Sequence, residues 1–393
     1  MKQCLSLLLL LGLTLSGSAQ DFEIYTVQLD TSIHSEYLQY DKKIQLLTPW
    51  CWSPESGNEY PLLVIFDMQN SGNYSYLLHT IDYLAGFAQI PAFMILGIEA
   101  GEDRNRLIET SFHLKNSKGE ENDRFLYEEL FPLLKKEYGF SGDVVLVGHS
   151  RYGFYTTYLL TKHAAELMAV ISVSPFFIEK NTNLINDTKA KISNAQDLEH
   201  DLYYAFAVGD SIFDTPDFYG MRDTLQAMNL SEEAAFHALP YEFPAAWHIT
   251  MPGLTVNQAL YDIFFFWQER QMLFYRTESE EVTDLYGKLQ EEIKAHYGSY
   301  LDFNLGVLNG TGWRFYGAER YEAAIQCWQI LARAYPDYSE AYYYIAMAYK
   351  ELGNAQQMEA YKQKALTAIP RSAFYTEAEK AATLEELKSL RME

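Results

Sequence analysis

Cysteine is nearly missing from this chain, with three in 393 residues. Cys4 lies in a leader-like N-terminal run, which leaves Cys51 and Cys327, far apart in sequence. Two lone cysteines are no disulfide framework, and they rule out a metal site built on cysteine. Basic charge is scarce as well. Lys and Arg number 30 against 53 Asp and Glu, for a net charge of −23. That balance argues against nucleic acid or a polyanionic membrane surface as a partner, because both demand clustered cations. After the leader no apolar run approaches the ~20 residues of a membrane-spanning helix. Glycine-rich phosphate loops, nucleotide fingerprints and metal-ligand clusters are absent too, so no cofactor is expected.

What is present begins with MKQCLSLLLLLGLTLSGSAQ. One lysine, a leucine-rich stretch and small residues up to Ala19 have the three-part shape of a secretory signal. Cleavage is expected after Ala19, with a periplasmic or secreted location. Hydrophobic content of 48% and charged content of 21% then describe a folded, globular chain.

From about residue 20 to 275, short β-rich runs alternate with helical patterns, which indicates an α/β domain. Strands are expected at 23–28, 43–49, 62–67, 92–98, 144–147, 169–173, 203–208 and 235–239. Most of the later ones are continuous apolar runs, as in a mostly parallel, doubly wound sheet covered on both faces. The first two, joined by a polar stretch, are expected to be antiparallel. Residues 74–87, 123–138 and 152–163 carry apolar side chains at three- and four-residue spacing and read as helices. From 276 to 393 only helical periodicity remains. Pro336 and Pro370 stand 34 residues apart and each closes a helix pair. Ala324, Trp328, Tyr342, Tyr349, Gly353 and Ala365 fall at small, aromatic and turn positions of a tetratricopeptide-like period. So few repeats do not stand alone. The segment is expected to dock on the α/β part or on a second subunit, where it would close over an acyl pocket, mediate dimerisation or engage a protein partner.

The stretch DVVLVGHSRYGFYTTYLL carries the chemistry. A strand stops at Gly148, Ser150 follows, and a helix begins. A serine on a sharp strand-to-helix turn exposes its Oγ and aims a helix N-terminus at a developing oxyanion. The usual second glycine of the G-x-S-x-G elbow is replaced by Tyr152, with Gly153 one position late. On local sequence alone, a nucleophile and a structural serine both stay open. The base that activates such a serine should come from a late loop. His248, in PYEFPAAWHITMPG after the last strand, suits this better than His200, His237 or His296. The acid should follow strand 203–208, where Asp214 and Asp210 compete, and either could instead cap the next helix. The oxyanion hole needs two backbone N–H groups. One is expected from Arg151 and the other from Met68 or Gln69, in the loop after strand 62–67.

Taken in order, several motifs carry a resemblance. These are SIHSEYLQYDKKIQLLTP, YPLLVIFDMQ, IPAFMILGIEAGEDRNRLIETS, NDRFLYEELFPLLKKEYGF, GHSRYG, ISVSPFF and WHITMP. Over roughly residues 30–270 the chain resembles the putative-esterase family of α/β-hydrolases, the group of enterochelin-type esterases and S-formylglutathione hydrolases. The resemblance implies an α/β-hydrolase fold, a small-molecule ester substrate, and serine esterase chemistry with Ser150 as nucleophile and His248 as base. The acid does not carry over cleanly. Met68 and Tyr152 stand where the family tends to have glycine, which bears on the acyl pocket and on the shape of the elbow. The competing reading is a catalytically inactive hydrolase scaffold whose helices bind a protein. Arg104, Arg106 and Arg151 would form a cationic patch for an anionic substrate, unless they are taken up in ion pairs.

Overall fold

The computed structural model describes residues 22–392, apart from 55–56, 101–102, 194–197, 211–214, 232–233 and 373–374. Its strands are β1 (Tyr25–Ser35), β2 (Tyr40–Pro49), β3 (Tyr60–Phe66), β4 (Met94–Ile98), β5 (Phe140–His149), β6 (Leu167–Val173), β7 (Ile178–Glu179), β8 (Thr182–Asn183), β9 (Leu202–Val208) and β10 (Phe236–Glu242). Eight of them form one sheet in the order β1-β2-β4-β3-β5-β6-β9-β10, and β7 and β8 make a separate small ribbon. Pairing is antiparallel for β1–β2 and β2–β4 and parallel from β4 to β10.

Burial follows from the residue pattern. β4, β6 and β9 are buried along their whole length, as the middle of a sheet covered on both faces must be. β1 lies at the edge and is mostly exposed. Successive residues of β3 feed opposite layers. Leu63 and Ile65 join a core with Leu77, Ile81, Val256 and Leu260, and Leu62 and Val64 join one with Phe154, Tyr155 and Leu159. That period-two split is what a three-layer arrangement requires.

The helices are α1 (Ser71–Gly86), α2 (Asp103–Thr110), α3 (Gly119–Arg124), α4 (Phe131–Tyr138), α5 (Arg151–His163), α6 (Leu184–Ile192), α7 (Thr215–Ala227), α8 (Met251–Ile263), α9 (Phe265–Tyr275), α10 (Val282–Tyr297), α11 (Leu305–Gly317), α12 (Tyr321–Ala334), α13 (Glu340–Glu351), α14 (Ala355–Ala368) and α15 (Glu377–Ser389). After β4 the chain crosses back over β3 to lay down β5, and then proceeds outward through β6, β9 and β10. The strand order therefore reverses between β3 and β5. In open α/β sheets the crevice at the carboxyl ends of such a pair is where ligands bind.

The C-terminal region stacks two helix hairpins, α11–α12 and α13–α14, and ends in α15. It docks on the α/β part at the edge where the parallel strands begin. Trp50, just past β2, stacks on Tyr335 with ring centres 5.8 Å apart. Asn58 Nδ2 donates to Ala334 O at 3.5 Å, and the Asp201 N–H donates to His296 O at 2.8 Å. Ser299 donates to the Asp143 carboxylate. One apolar core runs on from the sheet through Trp267 and Phe274 to Tyr297 and Trp328. The expectation that this region could close over an acyl pocket is thereby corrected, because Ser150 sits at the opposite edge of the sheet. Cys51 and Cys327 are both free and buried, and burial pushes each thiol up to about 12.

Candidate active site

Ser150 stands between β5 and α5 with φ 59° and ψ −113°. Left-handed backbone is costly for a serine and persists only where its surroundings enforce it. Here its N–H donates to Val173 O at 2.8 Å, and its own carbonyl accepts the Phe154 N–H at 3.0 Å. Asp67 at the end of β3 (φ 67°) and Ser174 at the end of β6 (φ 44°) are left-handed too. The strain is thus gathered at the carboxyl ends of three neighbouring strands.

Two glycines let the turn close. A Cβ on Gly148 would lie 2.2 Å from Tyr152 O, which no side chain tolerates. A Cβ on Gly153 would meet Val173 O and Pro175 Cβ, each at 3.1 Å. The crossing point thus falls on 148 and 153, which leaves position 152 open to a side chain. Tyr152 turns away into the core. Its ring is fully buried and stacks on Phe66, with centres 4.9 Å apart and planes 10° off parallel. Its hydroxyl donates to Glu109 Oε2 at 3.1 Å. Burial, with Glu109 beside it, pushes the phenol well above its ordinary value, so Tyr152 stays a neutral donor. Glu109 is itself fully buried, and it also receives Lys42 Nζ at 2.7 Å and the Tyr40 hydroxyl. This network ties α2, β2 and the first turn of α5 together beneath the elbow.

Around Ser150, the loop after β3 is held by side chains. Burial keeps the Asp67 carboxyl above the ordinary range, and Arg106 at 2.6 Å pulls it part of the way back. Gln69 Nε2 donates to Asp67 Oδ1 at 2.8 Å, and Gln69 Oε1 accepts the Ala100 N–H at 3.2 Å. The assignment of Met68 as an oxyanion donor is corrected. Its N–H is donated to Ile98 O at 3.1 Å, which extends the β3–β4 ladder by one step. Arg151 opens α5, where a first-turn N–H has no acceptor within the helix. Its guanidinium donates to Ser111 Oγ at 2.6 Å, pairs with Glu179 at 3.3 Å and lies over the Phe176 ring. Burial pushes Glu179 up, but His113, Ser111, Arg151 and the Phe112 N–H together bring it below the usual carboxylate range. Arg106 and Arg151 are therefore taken up in ion pairs. The side chain of Arg104 lies outside the described residues.

His248 begins a short 3-10 turn that leads into α8. The loop carrying it is pinned to the end of β9, where the Asp210 N–H donates to Ala246 O at 2.7 Å. A Cβ on Gly209 would meet that same Ala246 O at 2.4 Å. The neighbour of Ser150 completes the contact. The ring N–H of His149, at Nε2, donates to His248 O at 2.9 Å, and the two rings lie 4.7 Å apart. The sequence offered His149 only as the second residue of the GHSRYG motif, with no role attached to it. Asp214 lies outside the described residues, and Asp210 is exposed. The other late histidines sit at the far edge of the sheet. His237 and His296 flank Asp201, and His200 hydrogen-bonds Ala165 O at 3.2 Å. Among the described residues no cluster of His, Cys, Asp and Glu could hold a metal ion.

Comparison with known proteins agrees with the fold. The family described as "Putative esterase" matches residues 35–245. No curated protein matches the chain. Among solved structures, an IroE-like serine hydrolase from Shewanella oneidensis is similar over 78% of this chain and 98% of its own, with TM-score 0.61 and 14% identity. An uncharacterised protein from Capnocytophaga ochracea DSM 7271 is similar over 93% of this chain and 100% of its own, with TM-score 0.59 and 14% identity. A BES protein from Bacillus cereus aligns over 64% of this chain and 99% of its own, with TM-score 0.52 and 15% identity.

Proposed function

The chain belongs to the putative esterase family, and on that footing we propose that it hydrolyses a carboxylic ester through an acyl-enzyme formed on Ser150. The observation that carries this reading is the left-handed Ser150 on a strand-to-helix turn, with the His248 loop drawn against it through His149.

In the proposed reaction His248 takes the Ser150 proton as Oγ attacks the ester carbonyl. The charge that develops on the carbonyl oxygen is met by the Arg151 N–H, backed by the N-terminus of α5. With the Met68 N–H committed to Ile98, the second donor is assigned to Gln69, whose side chain is held from both ends. His248 then gives its proton to the departing alkoxide. Water activated by the same histidine releases the acid and restores Ser150. Asp214 is the proposed partner of the imidazole, with Asp210 as its rival. The leader-like N-terminus supports a periplasmic or secreted location.

Burst kinetics with p-nitrophenyl acetate test the assignment. Wild type should show a burst stoichiometric with enzyme, and Ser150→Ala should show none. Equal rates in the two would remove Ser150 from the mechanism.

A further inference from the structure

A groove of about 780 Å³ lies along the outer side of the His248 loop, within the size range of small-molecule sites. Its apolar wall is built by Tyr76, Phe243, Pro244, Ala245, Ile249 and Leu254. Gly253 allows the floor to form, since a Cβ there would sit 3.1 Å from the Tyr76 ring. Ile249, the residue after His248, brings the groove alongside the histidine loop. Asn73 lines the groove and also lines a small cavity shared by Asp67, Asn70 and His149.

The exposure of this wall is unusual. Ile249, just after His248, is 66% exposed, and Tyr76 and Leu254 are 54% and 46% exposed. Single exposed apolar residues are ordinary, but a contiguous group lining a cleft marks a binding surface. Charge narrows the ligand. Among the described residues the one charged lining residue is Glu242, already paired with Arg222 at 2.9 Å and hydrogen-bonded by Tyr219 at 2.8 Å. Among the described residues the lining holds no cation to receive a carboxylate or a catecholate, and the chain carries a net charge of −23.

We propose that this groove binds an uncharged apolar arm of the ester, an aliphatic chain of about eight carbons or one aromatic ring. The proposal rests on the reading of Ser150 and His248 as the ester-cleaving pair. The arm belongs to the acyl or to the alcohol side of the ester, and the two are separable by substrate.

The test compares p-nitrophenyl acetate, butyrate and octanoate for an acyl arm, and octyl acetate against ethyl acetate for an alcohol arm. Full burial is worth roughly fourfold in kcat/KM per methylene, and an open groove gives less. An increase of about 10- to 100-fold is expected between butyrate and octanoate, or between the two acetates. In Ile249→Ser/Leu254→Ser that increase should shrink to less than about threefold, mainly through KM. Both residues are exposed, so the fold should survive their replacement. A flat chain-length profile in wild type for both series, alongside Ser150-dependent acetate hydrolysis, would overturn the groove proposal and leave the esterase reading intact. A readout independent of turnover is the tryptophan fluorescence of the whole protein titrated with 1-octanol. A saturable change that is lost in the double variant is expected. No saturable change, or the same change in the double variant, would also overturn the proposal.

Discussion

Putting glycine at position 152 would restore the residue the family tends to carry there, and the structure says it should do harm. The Tyr152 ring is fully buried, stacked on Phe66 at 4.9 Å and edge-on to Tyr155 at 6.2 Å. Truncating a buried aromatic costs about 3–5 kcal/mol. Its hydroxyl donates to Glu109, and losing a hydrogen bond to a charged acceptor adds about 1.5–3 kcal/mol. The total is comparable with the ~5–15 kcal/mol that holds a typical domain folded. Tyr152→Phe keeps the ring and removes only the hydroxyl, while Lys42 and Tyr40 remain on Glu109, so its cost should be about 1–3 kcal/mol. Urea unfolding followed by circular dichroism measures both. Tyr152→Gly should lose at least twice the stability lost by Tyr152→Phe, with no gain in ester turnover. A Tyr152→Gly variant as stable as wild type, or faster, would mean that the tyrosine strains the elbow, and the account of the turn given above would be wrong.

Gly148→Ala should act on the same turn from the strand side. Relieving a 2.2 Å contact with Tyr152 O moves the serine by roughly 1 Å, a displacement that costs about 100-fold in kcat/KM on p-nitrophenyl acetate. Gly287→Ala, with nothing within 4 Å of the added methyl, serves as the control and should match or exceed wild-type stability in urea. Lys42→Met leaves Glu109 buried without its cation and should cost about 3–5 kcal/mol in a thermal melt. Lys42→Met/Glu109→Leu should recover part of that loss and not all, because the Tyr40 and Tyr152 hydroxyls lose their acceptor. Glu179 titrates below its unfolded value, so its contribution is present above about pH 4.3 and is lost as pH falls through the folded value. The melting-temperature gap between wild type and Glu179→Gln should be open at pH 7 and close as pH falls through the folded value.

The inner strands β3, β4, β6 and β9 were legible as apolar runs, because strands buried on both faces leave nothing else to read. Strand limits were less so. β1 extends to Ser35 through DTSIHS, which pairs by backbone with β2 and has no apolar run to announce it. α2 was not among the expected helices because DRNRLIET is largely polar, and its task is to bring Arg106 to Asp67 and Glu109 to Lys42. Ser150 and His248 stood out because their order along the chain follows from the topology. The Met68 assignment failed because the backbone partner of a residue just past a strand depends on the register with its neighbour, which a single sequence does not carry. The docking edge of the C-terminal helices was hidden for a similar reason. The residues that receive them, among them Trp50, Asn58, Asp143 and Asp201, are scattered along the chain and meet only at the start of the parallel strands.

The central claim is that Ser150 is the nucleophile, and covalent trapping tests it most directly. The protein is treated with a fluorophosphonate, digested, and the adduct located by tandem mass spectrometry. A single stoichiometric adduct on Ser150 is expected, absent in Ser150→Ala and much slowed in His248→Ala. An adduct on another residue, or wild type left unlabelled under conditions that label a control serine hydrolase, would contradict it.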